Sequence, residues 1–432
     1  MDFLGILKIK ALNNSSIIFS GKTQKSLEFS AHSTTSLPIF NSEVIKIGRG
    51  KNCDIRIENP SVSLHHATIW SIQFDPTTSP IVYINDNSRN GTVCNTENMF
   101  KGETRILTDG DHLEIKTAAF ISFEAIPLVF ISSPHEQIVT KLKDWQITNT
   151  KIGSGSFGSV YVAKFTKRKS PPFAVKIIPK RQTGKFEYDD IHFREVHLLS
   201  KASHPNIIKV YEAIADENSI YIFQDLICGG DLFSYLVHEN YLRAIPEKET
   251  IFIVFQLMKA LQFLHKSLHI VHRDLKLDNI LMQLPLPKSK IFICDFGIAK
   301  LMTQTRTNTC VGTIEYSAPE VFKCDLRGKA VTPYSFKCDA WSLGIITHIL
   351  LSGISPFYSQ SKESILRASR EGILNFNKKQ FLKVSKPAKG FISALLKVNA
   401  SDRLDIDGCF EHEWIKNNRP KLESFYREKI SH

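Results

Sequence analysis

The chain has 432 residues, 42% of them hydrophobic and 23% charged, a composition that excludes a disordered protein and provides for two or three hydrophobic cores. Its eight cysteines form no Cys-x-x-Cys pair and match no histidine cluster, which argues against a zinc module and a secreted disulfide framework and fits a reducing intracellular compartment. The formal net charge of +12 would favour acidic partners, but a solvated lysine-rich surface explains it equally, because no basic run exceeds Lys164–Lys169 and direct nucleic-acid binding is not indicated.

In chain order, Met1–Leu12 is apolar yet carries Lys8 and Lys10, and no apolar run reaches the roughly 18 residues of a membrane helix. The segment is expected to be a strand of a protein without a membrane partner. Asn13–Phe40, rich in Ser, Thr and Asn, reads as a long loop. Seven short alternating segments follow between residues 44 and 126, punctuated by Asn90-Gly91 and Asp109-Gly110-Asp111, and they predict an all-β sandwich. Beyond a connector at 132–137, strands up to about Phe223 surround one helical stretch over 189–203, and helical periodicity then dominates, as in 249–267. A small β-rich lobe followed by a helical one predicts a two-lobed α+β domain, so the chain is multidomain. The expected boundaries are 1–130 for the sandwich, 131–143 for a linker, 144–226 and 227–415 for the two lobes, and 416–432 for a basic C-terminal tail.

Two glycine-punctuated loops stand about a hundred residues apart. In the second, Gly153, Gly155, Gly158 and Val160 fit G-x-G-x-x-G-x-V. Alone this is also a dinucleotide fingerprint, but the element that follows reads as a strand rather than a helix, so that alternative lacks its context. Lys176 lies on the next apolar strand, Glu195 nineteen positions later in the helical stretch, then His272-Arg273-Asp274 with Asn279, then Asp295-Phe296-Gly297, and finally Ser317–Glu320. In this order the motifs resemble the eukaryotic protein kinase family over about Asp144–Trp414.

The resemblance implies ATP and Mg²⁺ as cofactors. Asp274 would accept the proton of a Ser or Thr hydroxyl, Lys276 would touch the γ-phosphate, and Asn279 and Asp295 would hold the metal. Lys176, paired with Glu195, would meet the α- and β-phosphates. Ile152, Gly153, Gly155, Gly158, Val160 and Ala174 would line the nucleotide, with Gln224 as gatekeeper and Asp225 to Ile227 as hinge. Lys276 after Asp274-Leu275 resembles Ser/Thr rather than tyrosine kinases. Asp231 and Asp278 fall where basophilic relatives read an arginine three residues before the phosphorylated site; Asp231 also reads as a helix N-cap, and the two roles are compatible. Thr309 and Thr313 occupy activation-loop phosphorylation positions, within reach of Arg273 as a phosphate-binding cation, with Thr313 also serving substrate docking.

The first loop, Gly48-Arg49-Gly50, lacks the Lys-Ser/Thr ending of an ATP-binding loop. With Ser63 and His66 spaced S-x-x-H, then Asn90-Gly91, it resembles the forkhead-associated (FHA) domain, which binds phosphothreonine peptides. Arg49 and Ser63 would hold the phosphate, Asn90 would grip the peptide backbone, and His66 would brace the loops. Leu64 and Arg89 depart from the common pattern; Arg89 either replaces a missing phosphate contact or is solvated.

An FHA domain joined to a basophilic kinase resembles the checkpoint effector kinases of fungi and animals. Thr23-Gln24, Thr303-Gln304 and Ser359-Gln360 are dispersed rather than clustered, and the compact layout is most similar to the fungal meiosis-specific branch. That implies docking on a phosphothreonine of a chromosome-axis protein in the nucleus, R-x-x-S/T substrates, and self-association for trans-autophosphorylation. A mitotic DNA-damage kinase of the same architecture and a phosphopeptide-binding scaffold with dispensable catalysis are the alternatives.

Overall fold

The computed structural model describes residues 2–13, 15–19, 27–29, 34–75, 78–126, 138–155, 158–167, 170–180, 200, 203–239, 241–295, 314–322 and 335–430. The chain divides into two units, Met1–Ile178 and Pro179–His432.

The first unit begins with thirteen strands: β1 (Phe3–Ala11), β2 (Ser16–Phe19), β3 (Leu27–Phe29), β4 (Thr34–Phe40), β5 (Val44–Gly48), β6 (Ile55–Glu58), β7 (Ala67–Ile72), β8 (Ile81–Asp86), β9 (Thr92–Cys94), β10 (Glu97–Asn98), β11 (Thr104–Leu107), β12 (His112–Ile115) and β13 (Ala119–Ala125). They form two sheets, ordered β10-β9-β12-β13-β1-β4 and β11-β8-β7-β5-β6-β2-β3. The period-2 alternation of each strand sends one face inward. Leu7 and Ile9 of β1 join Ile47, Ile55, Ile57, Ile69 and Ile121 in a fully buried core, each such side chain contributing about 1.5–3 kcal/mol relative to exposure. The seven segments expected between 44 and 126 are all strands, as is the N-terminal segment.

The loop expected over Asn13–Phe40 is corrected, because β2, β3 and β4 lie there. Strands β3 and β4 close the edges of their sheets, and β4 fully buries one side chain, Ile39, while also accommodating Pro38. An edge strand with one wet face carries little hydrophobic signal and tolerates proline, so its sequence reads as coil.

Four more strands complete this unit: β14 (Ile138–Leu142), β15 (Trp145–Gly155), β16 (Gly158–Phe165) and β17 (Phe173–Pro179). They pair antiparallel in sequence order, with Trp145 packed against Phe165 and Phe173.

The second unit opens with the hairpin β18 (Val210–Ala215) and β19 (Ser219–Asp225), followed by α1 (Leu232–Leu236), the short hairpin β20 (Val237–His238) and β21 (Tyr241–Leu242), and α2 (Glu247–Lys266). Strands β22 (Ile280–Met282) and β23 (Ile291–Ile293) make a further antiparallel pair. Then come α3 (Lys337–Ser352), α4 (Lys362–Glu371), α5 (Lys386–Leu395), α6 (Ile406–Glu411), α7 (Glu413–Lys416) and α8 (Arg419–Lys429). Helix α3 is buried on every side from Cys338 to Ser352, which marks it as the centre of the unit. It ends at Gly353, whose φ of 71° is the left-handed conformation that glycine adopts without penalty. The segment read as a basic tail contains α8, which buries Leu422 and Tyr426. Among the described residues no helix is long and apolar enough to cross a membrane.

Two histidines, His348 buried and His204 half-buried, make this unit acid-sensitive. Burial lowers His204, beside Lys259 and Lys290, and also His348, each to about 4. Unfolded histidine titrates near about 6.5, so below that pH the unfolded chain binds protons that the folded chain refuses, and stability falls as pH drops toward about 4. Thermal melts are expected to show Tm declining between about pH 6.5 and pH 5, and a flat profile over that interval would contradict the assignment.

Candidate functional site

The first glycine loop leaves β5 where the chain passes the segment Ser63–His66 very closely. A Cβ at Gly48 or Gly50 would stand 2.6 Å from the Leu64 carbonyl oxygen, so both positions need glycine for the approach. Across this approach Arg49 N–H donates to Ser63 O and Gly50 N–H to Leu64 O, each at 3.0 Å. Ser63 Oγ accepts the Arg89 N–H at 3.1 Å, which leaves its own hydroxyl hydrogen to donate. Asn90 Nδ2 donates to Ser61 O at 2.7 Å. Arg49, Ser63, Arg89 and Asn90 are therefore brought together by three loops, with both arginines and Leu64 exposed.

His66 is buried beneath them, and its Nδ1 accepts the Ser63 N–H at 3.2 Å. Burial lowers its pKa, keeping a neutral ring, as the bracing role requires. The turn at Gly91, with φ of 81°, is fixed from below: its N–H donates to Ser88 Oγ at 2.7 Å, and buried Asp86 accepts from Thr92 Oγ1 at 2.7 Å and from Ser88 Oγ at 3.2 Å. Asp86 and Ser88 escaped the sequence reading. Their only signal is a short polar run at the end of an apolar strand.

The second glycine loop is the tip of the β15–β16 hairpin, where Gly155 faces Gly158. At Gly158 a Cβ would run into the Ile177 carbonyl oxygen, whereas at Gly153 it would meet nothing within 4 Å among the described residues. The glycine at 153 therefore leaves room for something other than the protein's own packing. Val160 stands opposite Lys176 and Val162 opposite Ala174, which aligns the loop with the lysine strand. Ile152 and Ala174 are buried, at 6% and 5% exposure. Glu195 lies outside the described residues.

In the second unit, the loop 272–279 is organised by a residue that the motif reading missed. Asp339 of α3 accepts the N–H groups of His272 at 2.8 Å and Arg273 at 3.0 Å, and meets His265 Nε2 at 2.8 Å. Burial works to raise its pKa, but the His265 hydrogen bond and charge, with the His272 N–H, hold it below the usual carboxylate range. This anchor offsets the unfavourable φ of 67° at Arg273. His272 is buried and kept neutral, its pKa lowered first by burial. Its Nδ1 accepts the Asp274 N–H at 3.3 Å and its Nε2–H donates to Cys294 O at 3.0 Å.

Asp274, Lys276 and Asn279 converge as expected. Asn279 Nδ2 donates to Asp274 O at 2.8 Å and Oδ2 at 3.2 Å, and Lys276 Nζ lies 3.6 Å from Asp274 Oδ2. Cys294 N–H donates to Asn279 O at 3.0 Å, so the chain reaches exposed Asp295, with φ of 55°, directly from this loop.

Gln224 pairs with Val210. Asp225 is pinned to the start of β18, because its N–H donates to Lys209 O at 3.1 Å and its carboxylate accepts from Tyr211 Oη at 2.8 Å and Lys209 N at 3.2 Å. Ile227 follows, half-buried. Asp231 caps α1, accepting from Ser234 N and Oγ at 2.8 Å. Burial raises its pKa against those bonds, and the nearby charge of Asp278 adds to the rise.

Arg403, fully buried, holds Glu320 through two bonds of 2.7 and 2.9 Å. A buried arginine with a bidentate acid is invisible in sequence spacing. Thr309 and Thr313 lie outside the described residues.

A protein kinase domain model matches residues 147–415, and an FHA domain model matches residues 45–116. The chain is 39% identical over 430 residues to the meiosis-specific serine/threonine-protein kinase MEK1 of Saccharomyces cerevisiae, covering 91% of this chain and 85% of that protein. It is 34% identical over 404 residues to the meiosis-specific serine/threonine-protein kinase mek1 of Schizosaccharomyces pombe, covering 92% and 86%. Among solved structures it is similar to Rad53 1–466 in complex with AMP-PNP, with a TM-score of 0.52 and 25% identity, covering 95% of this chain and 100% of that one.

Proposed function

The chain belongs to the protein kinase family, as a serine/threonine kinase that carries an FHA domain, and on that premise we propose that it acts in meiotic recombination checkpoint signalling at chromosomes in the nucleus. The observation that carries the catalytic part is the Asp339-anchored loop, which places Asp274, Lys276 and Asn279 together. The meiotic part is supported by the two yeast relatives and by their coverage of both domains.

In this reading residues 1–130 form the phosphothreonine-binding domain and 144–415 the catalytic domain, with the boundary between its lobes in the sequence after residue 226. Ile152, Val160 and Ala174 line the adenine, Gln224 stands as gatekeeper, and the backbone of Asp225 and Ile227 meets the base. Gly153, Gly155 and Gly158 admit the phosphates, and Lys176, held by Glu195, meets the α- and β-phosphates. The room at Gly153 fits this assignment.

Asn279 commits its amide nitrogen to Asp274 and so presents Oδ1 as its acceptor; with Asp295 this is an all-oxygen donor set, which suits Mg²⁺. The metal supplies neutralisation of phosphate charge when bound. Asp274 accepts the proton of the substrate hydroxyl, and Lys276 beside it stabilises negative charge on the transferring group. Thr309 and Thr313 are the loop phosphorylation sites, and Arg273 receives the phosphate. Arg49, Ser63, Arg89 and Asn90 hold a phosphothreonine of a chromosome-axis protein. Docking there raises the local concentration of kinase copies and favours phosphorylation of one by another.

Asp231 and Asp278 read an arginine three residues before the phosphorylated Ser or Thr. Replacing that arginine by alanine in a peptide substrate is expected to lower kcat/KM by about ten- to hundredfold, the effect of losing one charge-assisted hydrogen-bonded pair. A peptide array insensitive to that position would reject the assignment.

A further inference from the structure

The C-terminal helix α8 reaches the catalytic strand through one buried hydroxyl. Tyr426 Oη donates to Asn206 Oδ1 at 2.6 Å, with Tyr426 6% and Asn206 0% exposed. Asn206 also holds the strand that leads to Asp295, both directly and through Gln256 of α2, while its own N–H donates to His204 Nδ1 at 3.1 Å. Its Nδ2 donates to Ile291 O at 2.8 Å and to Gln256 Oε1 at 2.9 Å, and its carbonyl accepts the Ile293 N–H at 2.9 Å. Ile208 N–H closes the set on Ile293 O at 3.1 Å, and Gln256 Oε1 also accepts the Ile291 N–H at 3.0 Å. One residue further, Cys294 bonds to Asn279 and His272, and Asp295 follows.

Helix α8 is firmly seated on this region. Glu423 pairs with Lys259 at 2.7 Å, Phe425 packs edge-on against Phe252 at 4.7 Å, Ile430 is 1% exposed, and Lys290 Nζ donates to Ile430 O at 3.2 Å. These contacts hold the helix without touching Asn206, and the Tyr426 hydroxyl alone among them enters the network of Asn206. Tyr426 lies outside the span 147–415 that the kinase domain model matches.

We propose that Tyr426 is a positioning residue for phosphotransfer, acting through Asn206 to fix the strand that delivers Asp295. This rests on the reading of Asp295 as a metal-holding residue. Without the hydroxyl, Asn206 Oδ1 becomes a buried acceptor with its donor removed, which favours rotation of the amide and release of Ile291 and Gln256. The strand end, and with it the carboxylate of Asp295, then loses definition. The Tyr426 hydroxyl, and not the helix as a whole, then ties the C-terminal segment to the catalytic strand.

The test compares Tyr426→Phe with Leu422→Ala in the full chain, well below either Tm, by initial rate against free Mg²⁺ at saturating ATP and peptide. Leu422 is buried at the base of α8 and has no polar group to offer Asn206. Tyr426→Phe, which keeps the ring, is expected to raise the half-saturating Mg²⁺ or lower kcat by about three- to tenfold, the size expected when one buried acceptor loses its donor. KM for the peptide stays unchanged, and Leu422→Ala lowers Tm yet leaves the Mg²⁺ curve in place. A Tyr426→Phe curve that overlays the wild type, or an equal shift in both variants, overturns the proposal. Asp295→Asn is the separate control: if it kept the wild-type Mg²⁺ dependence the metal assignment itself would fail, whereas its collapse beside a wild-type-like Tyr426→Phe sinks the positioning role alone.

Discussion

Asp274→Asn is expected to lower kcat by about three orders of magnitude, within the range contributed by a positioned general base, while leaving phosphopeptide affinity and Tm close to wild type. On the proposed assignment the substitution removes the group that would accept the substrate proton, because an amide oxygen binds a proton negligibly at neutral pH. It disturbs little else. The Asn279 bond to the backbone carbonyl of Asp274, at 2.8 Å, survives, and the amide oxygen can replace Oδ2 as acceptor for the weaker bond at 3.2 Å. The loop keeps its Asp339 anchor through the N–H groups of His272 and Arg273. A purified variant assayed on an arginine-containing peptide, with ATP binding measured in parallel, separates loss of chemistry from loss of fold. Activity within about tenfold of wild type would remove Asp274 from the base role, since general-base catalysis contributes about a hundredfold at the least. The same variant in cells discriminates an enzyme, whose biology it abolishes, from a scaffold, whose biology it spares.

The residues proposed for catalysis and for phosphate reading stood out because each is part of a short local motif, and local motifs survive in linear order. His272, Asp274 and Asn279 fall within eight positions, and the strand assignments between residues 44 and 126 rest on alternation that a two-faced sheet imposes. What supports those residues was not legible. Asp339 acts on His272 and Arg273 from 67 and 66 positions away, and Arg403 reaches Glu320 across 83. A lone Asp or Arg in a helical stretch carries no mark of the partner it will find. Strands β2, β3 and β4 were hidden for another reason: β2 and β3 are only four and three residues long, too short for a periodicity to show, and β4 is an edge strand with one wet face and a proline. Helix α8 was read by its charge, and its apolar stripe, Leu422 and Tyr426 at i and i+4, was overlooked.

Arg49→Ala is expected to weaken binding of a phosphothreonine peptide by about a hundredfold or more, the loss of a bidentate charge-assisted pair. What holds the loop is main chain: the Arg49 N–H bond to Ser63 O and the Gly50 N–H bond to Leu64 O, both 3.0 Å, do not involve the guanidinium. The side chain is exposed, so its removal leaves no cavity and the sandwich retains its Tm. Arg49→Lys tests the geometry further, because an ammonium restores charge without the planar fork, and its affinity is expected to fall between the two. Fluorescence polarisation against phosphothreonine peptides and their unphosphorylated counterparts supplies the measurement. Catalysis on a free peptide stays at the wild-type rate, since no group of the 272–279 loop is altered. Phosphorylation of one kinase copy by another falls instead, because the docking that concentrates them is lost. Wild-type affinity in Arg49→Ala would show that the Arg49 guanidinium does not hold the phosphate, and the phosphothreonine would then be bound by other groups of this chain.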